Sequence, residues 1–157
     1  MKRTDRELTN PAEILDIIEK CDVCRIAMSS DNIPYIVPMN FGFEYTGSAL
    51  TLYFHGAGQG RKIDIIAENP AVCFEMDCSH RLIVGTDGCN YSMEYESVIG
   101  NGSMSICLER NEKIRALTRL MEKYAPGKSF AFPDAVLDSV TVLKLTVTDF
   151  TGKRNIK

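Results

Sequence analysis

The chain has no tryptophan and only two histidines, and it contains no run approaching the roughly 18 apolar residues of a membrane-spanning helix. Its charge leans to neither sign. Lys and Arg number 18 against 21 Asp and Glu, so a net charge of −3 offers no general attraction to nucleic acid or to an anionic membrane. Any anion must therefore be held by a local site. The opening Met1-Lys2-Arg3-Thr4-Asp5-Arg6 runs into an amphipathic acidic segment rather than an apolar export signal, which predicts a cytoplasmic protein. The six cysteines (Cys21, Cys24, Cys73, Cys78, Cys89 and Cys107) are then expected as free, mostly buried thiols. Cys21 and Cys24 match C-x-x-C, but no second such pair follows and they fall between a helix and a strand. A metal or redox role is not expected.

What is present describes one globular domain over residues 1–157, long enough to bury most of its apolar surface unaided. Asn10 and Pro11 start a helix that ends near Cys21, with Ile14, Leu15, Ile17 and Ile18 as its apolar stripe. Val23 to Ser29 reads as a strand, Asp31-Asn32 as a turn, and Pro34 to Tyr45 as one long extended run. That run and Ala49 to His55, joined by Thr46-Gly47-Ser48, read as an antiparallel hairpin. Arg61 to Glu68 is a short helix, Ala71 to Asp77 a strand, and Tyr95 to Cys107 a strand whose Gly100 and Gly102 permit a bulge. Asn111 is the predicted cap of a longer helix facing inward with Ile114, Leu117, Leu120, Met121 and Tyr124, stopped by Ala125-Pro126-Gly127. A short helical turn at Pro133-Asp134 precedes the last strand, Val140 to Phe150. Strands outnumber helices and do not alternate with them. The expected fold is mainly β, a small closed or half-closed barrel with peripheral helices.

The strongest chemical signal is Phe54-His55-Gly56-Ala57-Gly58-Gln59-Gly60-Arg61-Lys62. Its glycines let a ligand approach the backbone, and the helix that follows presents free N–H groups suited to a phosphate. Arg61 and Lys62 oppose the positive end of that helix, a small cost that a bound anion would reverse. A solvated loop with two basic residues is the competing reading. Neither established phosphate fingerprint fits. Lys62 is followed by Ile63 rather than Ser or Thr, and the glycine spacing is not G-x-G-x-x-G. A second signal is Tyr35-Ile36-Val37-Pro38-Met39-Asn40, where Pro38 cannot donate a ladder hydrogen bond. It either opens a sheet edge to a planar ligand or protects an edge strand from aggregation.

Taken with Ser97-Val98-Ile99-Gly100-Asn101-Gly102, these segments resemble the nitroimidazole-resistance branch of the pyridoxamine 5′-phosphate oxidase-like flavoproteins. The resemblance implies a split β-barrel homodimer with flavin mononucleotide (or the dinucleotide) at sites shared by both subunits. It implies that Val37, Pro38, Met39 and Asn40 lie along the flavin ring and ribityl chain. Phe54 and His55 would flank it, Gly60, Arg61 and Lys62 would hold the phosphate, and Tyr95 and Ser97 would come from the partner. His55 becomes the candidate proton donor. The chain departs from the oxidases proper in lacking tryptophan and an arginine-rich tail, so vitamin B6 oxidation is not expected. The implied activity is reduction of a small electron acceptor such as a nitroimidazole. A non-catalytic flavin carrier or sensor, or a haem-binding barrel with His55 as ligand, are the alternatives. His80, near Cys73 and Cys78, fits no zinc pattern and reads as part of a solvated turn.

Overall fold

A computed structural model describes residues 3–156; Met1, Lys2 and Lys157 lie outside the described residues. After a 3-10 turn at Thr4–Arg6 come β1 (Glu7–Leu8), α1 (Pro11–Lys20), β2 (Cys24–Ser30), β3 (Ile33–Met39), β4 (Gly42–Thr46) and β5 (Ala49–Gly56). They are followed by α2 (Arg61–Glu68), β6 (Ala71–Ile83), β7 (Ser92–Ile106), α3 (Arg110–Tyr124), α4 (Asp134–Ser139) and β8 (Thr141–Asn155). The strands make one eight-stranded antiparallel sheet in the order β3-β2-β6-β7-β8-β5-β4, with β1 beside β8. It curls into a barrel that does not close between β3 and β4.

The start of α1 follows from short-range chemistry. Asn10 accepts a hydrogen bond from the Ala12 N–H at 3.0 Å, and Pro11 occupies the first turn as expected. The α3 cap is Glu109 rather than Asn111, and no side chain bonds the first turn, because the helix is held there by its packing on β4 and β5. Both tight turns use the left-handed region: Asp31 and Asn32 at φ 52° and 61°, Gly47 and Ser48 at φ 56° and 71°. A ladder irregularity between Asn101 and Gly102 supplies the bulge anticipated there.

The long run from Pro34 to Tyr45 is not one strand. It breaks after Met39, so that β3 pairs with β2 at one edge of the sheet while β4 pairs with β5 at the other. Tertiary contacts cause the break. The Phe41 side chain is fully buried, its N–H donates to Tyr124 Oη at 3.1 Å, and the Lys123 ammonium lies 4.7 Å from the centre of its ring. β6, β7 and β8 extend beyond the predicted spans because each finds a long partner in the next.

Alternate residues fill the interior: Ile26 and Met28 of β2, Leu50, Leu52 and Phe54 of β5, Val72, Phe74 and Met76 of β6, and Val98 of β7, with Ile14, Ile17 and Ile18 of α1 packed among them. A second cluster joins Tyr53 and Val142 to Ala116, Leu117 and Leu120 of α3 and Leu137 of α4, across the outer side of the sheet. Buried Glu96 ties α1 to the barrel, accepting from Arg154 Nε at 2.6 Å, Ser79 Oγ at 2.7 Å and Lys20 Nζ at 3.2 Å. Burial alone would raise its pKa, but these hydrogen bonds outweigh it and hold the carboxyl below its ordinary range.

Glu44 fastens α3 to the sheet, accepting from Arg115 Nε at 2.9 Å, Arg119 Nε at 2.6 Å and Tyr53 Oη at 3.0 Å. The hydrogen bond from Arg115 is the main cause that brings its pKa down to about 2 from 4.5. The folded value lies below the unfolded one, so this stabilisation is complete above about pH 4.5 and disappears as pH falls toward 2. Glu44→Gln is expected to cost about 2 kcal/mol at pH 7. In denaturant titrations the gap from wild type should narrow between pH 4.5 and 2; a gap constant across that window would refute the assignment.

Candidate functional site

The site is assembled where β3, the end of β5 and the start of α2 meet. The two-residue period of β5 sends Leu50, Leu52 and Phe54 inward and Thr51, Tyr53 and His55 outward. Phe54 is thus fully buried in the core. His55 is exposed beside Gly56. In β3, Val37 and Met39 turn toward the core, whereas Pro38 is exposed on the edge strand and Asn40 is exposed just past its end. Asn40 also has a structural partner, its Nδ2 donating to the Asp22 carbonyl at 3.1 Å.

The glycines shape a concave backbone. A Cβ built on Gly56 would sit 3.3 Å from Lys62 Nζ and 4.0 Å from Met39 Cε, so the Lys62 chain folds back over the end of β5 toward β3. At Gly58 a Cβ would meet Thr141 Oγ1 at 2.8 Å. Gly60 adopts φ 120°, which side chains rarely tolerate, and faces open space. Its carbonyl starts α2 by accepting from the Ile63 and Asp64 N–H groups, while the N–H groups of the first turn have no acceptor within the helix. Arg61 lies with Cζ 4.9 Å from the centre of the Tyr35 ring. Among the described residues neither Arg61 nor Lys62 has an ion-pair partner, although most other cations of the chain do.

One corner of the molecule thereby gathers Tyr35, Val37, Met39, Gly56, Gly60, Arg61 and Lys62. Tyr35 was missing from the sequence-derived site, although its place two residues before Val37, on the same side of a strand, was the signal for it. Two free cations, open helix N–H groups and glycines that remove side-chain bulk can together hold a phosphate monoester, with Met39 and Val37 as apolar neighbours. The residues present fit a flavin phosphate.

Tyr95 and Ser97 are elsewhere. They lie on β7, three strand spacings or roughly 14 Å from β3 in the sheet. Tyr95 Oη is held by Arg6 Nη1 at 3.3 Å, and Ser97 lines a shallow depression of about 270 Å³ on the outer face with Ile99, Thr151 and Lys153. A larger groove of about 620 Å³ beside α3 is spanned by the ion pairs of Glu44 with Arg115 and Lys144 with Glu112. Cys21 and Cys24 are both buried, and burial pushes both thiols well above the ordinary range. No metal-binding cluster of His, Cys, Asp or Glu occurs among the described residues, and His80 Nε2 instead lies 2.8 Å from Asp77 Oδ2. No helix among the described residues is long and apolar enough to cross a membrane.

Comparison with known proteins identifies the fold and the family. Residues 10–154 match the model of the pyridoxamine 5′-phosphate oxidase family. The chain is 32% identical to a solved structure from Bacteroides thetaiotaomicron described as a "putative 5-nitroimidazole antibiotic resistance protein", over 94% of this chain and 85% of the other, with a TM-score of 0.82. An FAD and haem binding protein from Mycobacterium smegmatis shares the fold at 18% identity, over 97% of this chain and 74% of the other, with a TM-score of 0.84. A flavocytochrome from Azotobacter vinelandii does so at 14% identity, over 100% and 72%, with a TM-score of 0.82. No curated protein sequence matches the chain. With the split-barrel sheet and nearly its full length in common with these proteins, the chain belongs to the pyridoxamine 5′-phosphate oxidase family.

Proposed function

We propose that the protein is a flavin mononucleotide-dependent oxidoreductase, a cytoplasmic homodimer that reduces small acceptors of the nitroimidazole class. The observation that carries this reading is the pair of uncompensated cations at the start of α2, with Lys62 folded over Gly56 toward Met39 and Arg61 stacked on Tyr35. Arg61, Lys62 and the N–H groups after Gly60 hold the phosphate. Val37, Pro38, Met39 and Asn40 border the ring system. The bound flavin supplies the hydride chemistry, and the protein orients it and excludes water around it. His55, exposed at the end of β5, supplies a proton to the acceptor. Tyr95 and Ser97 face outward and serve the site of the other subunit. Ile36 of β3 and Ile99 of β7 are 62% and 50% exposed on the outer face of the sheet, and a second copy seated on that face covers both. The relative described as a nitroimidazole resistance protein supports the acceptor class.

The test is to express the protein with ample riboflavin, release its bound small molecule and identify it by mass. Flavin mononucleotide is expected; a colourless protein whose melting temperature does not respond to the mononucleotide would overturn the reading. Stopped-flow then follows reoxidation of the reduced protein by a nitroimidazole. His55→Gln should slow that step about 100-fold while flavin affinity stays within about twofold. Flavin that binds but is not reoxidised by the acceptor would mark a carrier or sensor instead.

A further inference from the structure

We propose that Thr141 is a further residue of the phosphate socket, its hydroxyl donating to the phosphate of the flavin held by the same chain. This rests on the flavin phosphate reading above and needs no second subunit. Thr141 opens β8 and stands directly opposite Gly56 of β5 in the antiparallel ladder. Partners in such a ladder project to the same face of the sheet, with Cβ positions about 4.5–5.5 Å apart. Gly56 has no side chain, and Lys62 takes the place of one, its Nζ lying 3.3 Å from where the Cβ would be. The Lys62 ammonium and the Thr141 side chain therefore share one face at the end of the β5–β8 pair, while the next ladder pair, His55 and Val142, turns to the other.

The glycine loop bends around that hydroxyl. A Cβ on Gly58 would lie 2.8 Å from Thr141 Oγ1, too close for any side chain, so Gly58 makes room for Thr141 as Gly56 makes room for Lys62. The half-buried hydroxyl so accommodated has no hydrogen-bond partner among the described residues, although those of Thr118 and Thr148 each bond a backbone carbonyl. Beside it are an ammonium without an ion-pair partner among the described residues and the N–H groups after Gly60, which have no acceptor within the helix. A hydroxyl can donate or accept, but every other polar group at this loop is a donor. Such a set suits a ligand that offers several acceptor oxygens at one point, and a phosphate monoester carries three.

Thr141→Val keeps the outline of the side chain and removes the hydroxyl. It is expected to weaken flavin mononucleotide binding about tenfold and to leave riboflavin affinity within about twofold, because only the mononucleotide brings a phosphate. Thr141→Ser should keep most of the mononucleotide affinity, and Thr141→Ala, which cannot overpack the loop, should lose as much as Thr141→Val. The ligand-free Thr141→Val protein should melt with wild type, since the hydroxyl bonds nothing in the free chain. Unchanged mononucleotide affinity in both Thr141→Val and Thr141→Ala would overturn the proposal. So would an equal loss of both flavins with a lowered melting temperature, which would make Thr141 a support of the loop rather than a phosphate ligand. A wild-type protein that binds riboflavin as tightly as the mononucleotide would instead remove the phosphate socket, and this inference with it.

Discussion

Replacing Arg61 and Lys62 together by alanine is expected to weaken flavin mononucleotide binding by about 100-fold or more while leaving riboflavin affinity unchanged. In the proposed site each cation would contribute a charge-assisted hydrogen bond to the phosphate, worth about 1.5–3 kcal/mol, and riboflavin has no phosphate to lose. The ligand-free variant should be nearly as stable as wild type. It gives up the Arg61 stack on Tyr35, worth about 0.5–1 kcal/mol, but removes two positive charges from the positive end of α2, which returns a similar amount. Fluorescence titration of both ligands at two salt concentrations checks this, because the wild-type preference for the mononucleotide should shrink as salt rises. Equal losses for the two flavins would show that the cations act on the loop rather than on the phosphate.

Gly42→Ala is expected to destabilise the protein by about 3 kcal/mol and lower its melting temperature by roughly 10 °C. A Cβ there would lie 2.4 Å from Leu120 N, 2.5 Å from Arg119 C and 2.8 Å from Arg119 O. All three are backbone atoms of α3, so no side-chain rotation relieves the collision. The helix must move off β4, disturbing Leu117 and Leu120 beneath it and the ion pairs of Arg115 and Arg119 with Glu44. Gly47→Asn is the contrast. Gly47 has φ 56°, a Cβ added to it would meet nothing within 4 Å, and asparagine tolerates that conformation, so the cost should stay within about 0.5 kcal/mol. Thermal melts of the two variants decide between a packing role and a merely conformational role for the glycine of β4.

These two glycines mark the boundary of what was legible. Gly47 announced itself within Thr46-Gly47-Ser48, because a turn is made by its own residues. Gly42 did not, since what it accommodates is a helix about eighty residues later in the chain. The same distinction explains why Pro34 to Tyr45 read as one strand. Its residues are uniformly suited to extended structure, and the break after Met39 is imposed by Tyr124 and Lys123 arriving from α3.

Local chemistry in the sequence was sufficient for the Asn10 cap, the tight turns, the bulge near Gly100 and Gly102, and the glycine loop leading into Arg61 and Lys62. Such features depend on dihedral preference, capping and charge over a few residues. Only the tertiary structure could decide that β3 and β4 end on opposite edges, that Tyr35 lies under Arg61, that the Phe54 side chain is buried in the core, and that Lys153 and Ser97 share one depression. Those relations depend on strand order and register, which long-range contacts select among patterns that look alike one residue at a time.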